Sequence, residues 1–131
     1  MQNRNTFPKK EHLFGEATVE TLYKEGASMF LYPYRLIFLK VEKEDVAVRC
    51  LVYAPKKRFK HAVDRNRLKR QIREAYRTNK HSLFTFMNEQ ESHLHIAIHY
   101  VGDKMESYEF MQKRMIQLLN KLEKRLKKEK I

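Results

Sequence analysis

An α+β fold is predicted for this 131-residue chain by three features of its sequence. Residues 29–53 are rich in β-branched and aromatic side chains, the composition of strands. Two later stretches, 63–77 and 107–128, repeat apolar residues at the i, i+3, i+4 spacing of helices. Between them, Leu94, Ile96, Ile98 and Tyr100 alternate with His93, His95, Ala97 and His99, as in a half-buried strand.

The elements follow in order. Residues 1–6 form a flexible polar arm. Leu13, Val19, Leu22 and Tyr23 suit an amphipathic helix over 11–24, weakened by Gly15 and stopped at Gly26. Residues 29–41 read as strand, interrupted or begun at Pro33. A polar turn at 42–45 leads to a second strand over 46–53, and the pair suggests an antiparallel hairpin. Residues 54–62 are a basic loop. The next helix starts near Val63 and Asp64, with Asp64 able to cap it or to favour the positive helix end. Its buried stripe is Leu68, Ile72 and Ala75. Residues 81–92 connect it to the histidine-bearing strand, with the alternative that the helix continues into them for a turn. After a turn at 101–104 comes a final helix with the apolar stripe Tyr108, Met111, Met115, Leu118, Leu119, Leu122 and Leu126, ending in a basic tail at 128–131. The expected order is α-β-β-β-α-β-α in a single domain over 1–131, an open sheet with helices. The strand–helix–strand passage allows two parallel strands.

Composition narrows the chemistry. The chain carries 28 Lys and Arg against 16 Asp and Glu, a net charge of +12. Between Lys56 and Lys80 there are eleven cations and two acids, so +9 of that excess lies in one segment. Charge so concentrated argues for a polyanion-binding surface. No segment approaches the length of a membrane span and no signal peptide is visible. Cys50, the only cysteine, lies in an apolar run and reads as a buried, inert thiol. These features point to the cytoplasm, with nucleic acid as the partner and no membrane. The final helix has a narrow apolar stripe and glutamates among its lysines, which fits core packing better than membrane-surface binding.

At 100° per residue, Asn66, Lys69, Arg70, Arg73 and Arg77 fall on the arc opposite the buried stripe, flanked by Arg65 and Arg67. Solvated helix faces usually mix signs to gain i, i+4 pairs. This arc is nearly all positive, so folding alone does not account for it.

The run Ala62-Val63-Asp64-Arg65-Asn66-Arg67-Leu68-Lys69-Arg70-Gln71-Ile72-Arg73-Glu74-Ala75-Tyr76-Arg77 closely resembles the Arg-Asn-Arg signature of the bacterial ribonuclease P protein subunit, roughly A-V-x-R-N-R-x-K-R-x-I-R-E-A-[FY]-R. Pro55-Lys56-Lys57 precedes it as the family's strand-end lysines do, and the order of elements agrees from residue 7 to about 128. Two departures stand out. The basic loop 57–61 is one residue longer than the commonest version and lacks its glycine, and Val19 stands where the family often has Phe. The resemblance implies an unusual left-handed β-α-β crossover, also found in a ribosomal-protein domain. It implies that Arg65, Asn66, Arg67, Lys69, Arg70, Arg73 and Arg77 bind the ribonuclease P RNA. Phe14, Tyr23, Tyr34, Lys56 and Lys57 would contact the 5′ leader of precursor tRNA, since aromatic faces beside cations suit single strands. The implied catalyst is the RNA with Mg²⁺, so no catalytic residue, metal ligand or bound cofactor is expected in this chain, and the protein would be monomeric.

Two other readings share the charge pattern. A structured-RNA-binding or ribosomal protein would lack the signature. A protein-only ribonuclease would need paired histidines with a lysine, a pairing the sequence does not specify. His93, His95 and His99 fall on one strand face. A polar sheet face is the simpler reading, since a metal site needs further Cys, Asp or Glu support. If that face lines a cleft, protonation near pH 6 would strengthen contact with a leader backbone.

Overall fold

The computed structural model describes residues 6–129. A short 3-10 turn, Lys9–Glu11, precedes α1 (Glu16–Glu25), β1 (Ala27–Leu31), β2 (Tyr34–Val41) and β3 (Val48–Tyr53). Then come α2 (Ala62–Asn79), α3 (His81–Glu89), β4 (His93–Tyr100) and α4 (Tyr108–Glu129). The mixed α+β architecture with one open sheet is as expected. Several details differ.

The first helix begins at Glu16 rather than residue 11. Gly15 precedes it at φ 98°, a left-handed conformation open to glycine, so it starts the helix instead of weakening it. The chain before it is extended, with Leu13 N–H donating to Cys50 C=O at 2.9 Å. Gly26 ends the helix in an extended conformation and is needed for a different reason from the one predicted. A Cβ there would lie 2.6 Å from Leu22 O and 2.8 Å from Phe38 O. Gly26→Ala is therefore expected to destabilise the protein by about 1–3 kcal/mol, the range for overpacking, measurable as a lower urea midpoint.

Residues 29–41 are two strands, folded back across Tyr32 and Pro33, whose peptide bond is cis. The expected hairpin between this region and residues 46–53 does not form. The strand order is β1-β2-β4-β3. β2 has β1 on one side and β4 on the other, both antiparallel, and β3 pairs in parallel with β4. A turn-like sequence at 42–45 marks a reversal but cannot say which strand occupies the neighbouring position. Residues 81–92, expected as a connection, contain the separate helix α3. α2 begins at Ala62 with His61 as its N-cap, so Asp64 lies in the first turn and favours the positive helix end without capping it. α4 continues through Glu129, so Lys128 is helical and not part of a tail. Residues 1–5, assigned to a flexible arm, and 130–131 lie outside the described residues.

The sheet separates two cores. On one face Leu36, Phe38, Ile96, Ile98 and Tyr100 pack with Leu68, Ile72, Ala75 and Tyr76 of α2, Leu83 and Met87 of α3, and the α4 stripe. On the other, Leu13 and Leu22 meet Ala97, with Val19, Ile37, Leu39 and Leu51 around them. β4 is thus buried on both sides, where alternation suggested one. Cys50 is 2% exposed and burial pushes its thiol pKa up, consistent with an inert role.

Candidate nucleic-acid interface

Two cationic surfaces arise on opposite faces of the sheet. The first is α2. Burial of Leu68, Ile72, Ala75 and Tyr76 fixes the rotation of this helix and turns Asn66, Arg67, Arg70 and Arg73 to solvent, with Lys69 half-buried. Among the described residues, no hydrogen bond or ion pair engages these five side chains. The remaining two predicted residues are engaged. Arg65 donates from Nη1 to the carbonyls of Phe59 at 2.8 Å and Lys60 at 2.9 Å, which secures the basic loop to the helix. Arg77 pairs with Glu74 through two hydrogen bonds, and the guanidinium holds that carboxyl below the usual range. The arc that presents free charge is narrower than the sequence suggests and centres on Arg67, Arg70 and Arg73.

The second surface is the open sheet face. The register lines up Phe30, Arg35, His99 and Tyr53 across all four strands. Phe30 and Tyr53 are 53% and 45% exposed, and Arg35 is exposed between them. α1 lies over the next row, Ile37, Ala97 and Leu51, and brings Tyr23 to the edge of the first. Tyr23 Oη is 2.8 Å from His99 Nε2, and the Tyr53 and His99 rings are 5.0 Å apart. Burial, and then the charge of Arg35, lower the His99 pKa, which favours the neutral ring in this contact with the phenol. A groove of about 350 Å³ continues from this row, lined by Tyr53, Lys56, Lys57, Arg58 and His99 among others. Arg58 is held by the Val101 carbonyl and by Asp103 at 3.6 Å, while Lys56 and Lys57 are exposed. Phe14, at 65% exposure, projects just before α1.

Tyr34 does not belong to this surface. It is fully buried on the other face, donating from its hydroxyl to Met111 C=O at 2.9 Å, and burial pushes its pKa far up. Phe30, Arg35 and Tyr53 take its place. A signal was present: in β2 the polar Arg35 sets the parity of the outer face, which assigns Tyr34 inward. Aligning Phe30 and Tyr53 with it required strand pairing.

The three histidines are separately occupied. His93 Nδ1 lies 3.0 Å from Val46 O, and His95 Nε2 lies 2.5 Å from Glu44 Oε2. Glu44 also accepts from Arg49 at 2.5 Å. Among the described residues, no cluster of three or more His, Cys, Asp or Glu is placed to hold a metal ion. No helix among them is long and apolar enough to cross a membrane.

The family model described as Ribonuclease P matches residues 7–123. The chain belongs to the ribonuclease P protein family. It is 36% identical over 108 residues to the ribonuclease P protein component of Porphyromonas gingivalis (strain W83), covering 82% of this chain and 79% of that one. To the component of Chlorobium phaeobacteroides it is 34% identical over 129 residues, covering 90% and 88%. Among solved structures, the RNase P protein of Staphylococcus aureus matches with a TM-score of 0.66 at 20% identity, covering 84% of this chain and 93% of that one. The Thermotoga maritima protein gives 0.66 at 21%, covering 85% and 96%. These structures establish the shared fold. As a ribonuclease P protein, the chain is a component of an endoribonuclease and associates with its RNA component.

Proposed function

We propose that the two surfaces divide the work of a cytoplasmic, monomeric protein subunit. The α2 arc docks on the ribonuclease P RNA, and the open-face row with Lys56 and Lys57 holds the 5′ leader of precursor tRNA. The observation that carries this reading is the placement of free guanidinium groups and an aromatic–cation row on opposite faces of one sheet. Catalytic RNA and leader are both polyanions, and a cationic wedge between them lowers their repulsion and sets register through phosphate contacts. Phe30, Tyr53 and Tyr23 offer stacking surfaces for unpaired bases, which need no particular sequence. The Mg²⁺ ions of the reaction are assigned to the RNA, with this chain supplying affinity and position. Glu44, the acid in contact with His95, is already engaged by Arg49 and His95.

The deciding measurement is cleavage of precursor tRNA by the purified protein, with and without the cognate RNA. Cleavage is expected only with the RNA, accelerated by the protein at low Mg²⁺. Absence of stimulation would favour a general RNA binder, and cleavage by protein alone would favour a protein nuclease. Tyr53→Ala is expected to weaken precursor tRNA by about 1–3 kcal/mol, the value of one base–aromatic stack. Mature tRNA, lacking the leader, should be unaffected in the same binding assay.

His99 also makes a prediction about pH. Its lowered pKa means that the unfolded chain binds a proton the folded chain refuses, so stability declines as pH falls below the ordinary imidazole range. The same lowering works against the ring protonation that would strengthen contact with the leader backbone. The ratio of precursor affinities at pH 6 and pH 7 should be the same in the His99→Gln variant. Urea unfolding should show a smaller loss of stability between pH 7 and pH 5 in that variant.

A further inference from the structure

We propose that the outward stripe of α4 is a second RNA-binding surface, one that tracks the phosphate backbone of double-helical RNA. Lys113, Gln117, Asn120, Lys124 and Lys128 are all exposed and fall within about 80° of arc, over about 22 Å of helix. No acid interrupts the stripe. Glu123 lies to its side and is engaged by the Ser82 hydroxyl at 2.7 Å.

The other α4 cations have structural partners. Arg114, Lys121 and Arg125 donate to the carbonyls of Tyr32, Phe30 and Ser28 at 2.7, 3.2 and 3.4 Å. They occupy alternate outward carbonyls along the free edge of the sheet, which blocks pairing with another strand. Lys127 lies over the Phe86 ring at 5.6 Å. Lys113, Lys124 and Lys128 have no such partner among the described residues. Lys124 and Lys128 stand at i, i+4, a spacing at which like charges repel, so this part of the stripe opposes the helix it sits on.

The chemistry selects the ligand. Both α4 arginines serve the fold, leaving lysines, which act as point charges without bidentate recognition. The Asn120 amide and the Gln117 amide nitrogen, whose Oε1 accepts from Arg114 at 2.8 Å, lie between them and suit the 2′-hydroxyls of the wide A-form minor groove. An anionic membrane fits less well. A helix that lies in a lipid interface needs a free apolar face, and here Met111, Met115, Leu118, Leu119, Leu122 and Leu126 are all buried in the core. α4 packs beside α2 in the same layer, with Thr78 and Asn79 touching Gln112. The arginine arc and the lysine stripe are thus neighbouring but separate contacts.

The test uses the full chain and an RNA duplex of about 16 base pairs with arbitrary sequence, long enough to span successive minor grooves. Dissociation constants are measured across a KCl series for the native chain and for Lys113→Gln/Lys124→Gln/Lys128→Gln. Loss of three phosphate contacts should reduce the log–log salt slope by about 2–3, with the thermal midpoint unchanged. The same reduction should appear when Arg67, Arg70 and Arg73 have already been replaced by Gln, because the surfaces are separate. This outcome does not depend on precursor cleavage. An unchanged slope in the lysine variant overturns the proposal, as does a reduction that vanishes in the α2 background. Loss of binding to phosphatidylglycerol vesicles with duplex binding intact overturns it in favour of a membrane.

Discussion

Replacing Arg67, Arg70 and Arg73 together with alanine is expected to weaken binding to the ribonuclease P RNA by about 10³-fold at low salt. The estimate assigns roughly 1.5 kcal/mol to each charge-assisted contact, the low end of the usual range. The salt slope should fall by about 2–3, since each phosphate contact contributes 0.7–0.9. Stability should barely change, because these side chains are exposed and make no hydrogen bond or ion pair among the described residues. Two neighbours serve as controls. Arg77→Ala should cost far less binding, as its charge already faces Glu74. Arg65→Ala should release the loop from the Phe59 and Lys60 carbonyls, so its effect should appear in stability as well as in affinity. An unchanged salt slope in the triple variant would mean that α2 presents its free charge to something other than RNA.

The largest stability effect is expected at Lys80. The residue is 4% exposed, and its ammonium pairs with Glu11 and also donates to the Thr6 carbonyl, 5.8 Å from the Phe7 ring centroid and 4.9 Å from that of Phe84. Lys80→Ala leaves the Glu11 carboxylate buried without its cation, a change that costs about 3–5 kcal/mol. Small domains are stable by only 5–15 kcal/mol, so this is a large share of the total. The double variant Lys80→Met/Glu11→Gln should recover much of the loss, because no charge is then stranded. Urea unfolding of the two variants separates desolvated charge from lost packing. Equal losses in both would show that shape, not charge, matters at this position.

Sequence periodicity located most elements because burial imposes it. Leu68, Ile72 and Ala75 show the 3.6-residue repeat of a helix against a sheet, and the same repeat defined the free arc by exclusion. What it could not supply was pairing. Apart from Arg49, residues 46–53 are apolar on both sides, so nothing in them distinguishes β2 from β4 as neighbour, and the adjacent strand was the natural but incorrect choice. Side-chain engagement was equally hidden. Arg65, Arg70 and Arg77 look alike in sequence, yet one holds a loop, one is free and one faces an acid. The open-face row shows both limits. Arg35 carried a parity signal, while its alignment with Phe30, His99 and Tyr53 depended on a register set over residues far apart in the chain. α3 was missed because it follows α2 after the single residue Lys80, without a glycine or proline between them.

The central position of β4 has a consequence for synthesis. The strand that joins the two halves of the sheet is the last to be made, leaving the ribosome after α2 and α3. Until residues 93–100 emerge, the β1–β2 hairpin and β3 have no strand in common, and α2 lacks the Ile96 and Ile98 surface it packs near. A nascent chain cut short before that point would carry the full arginine signature with no sheet to orient it. The cationic arc of α2 therefore comes into register only when translation is nearly complete.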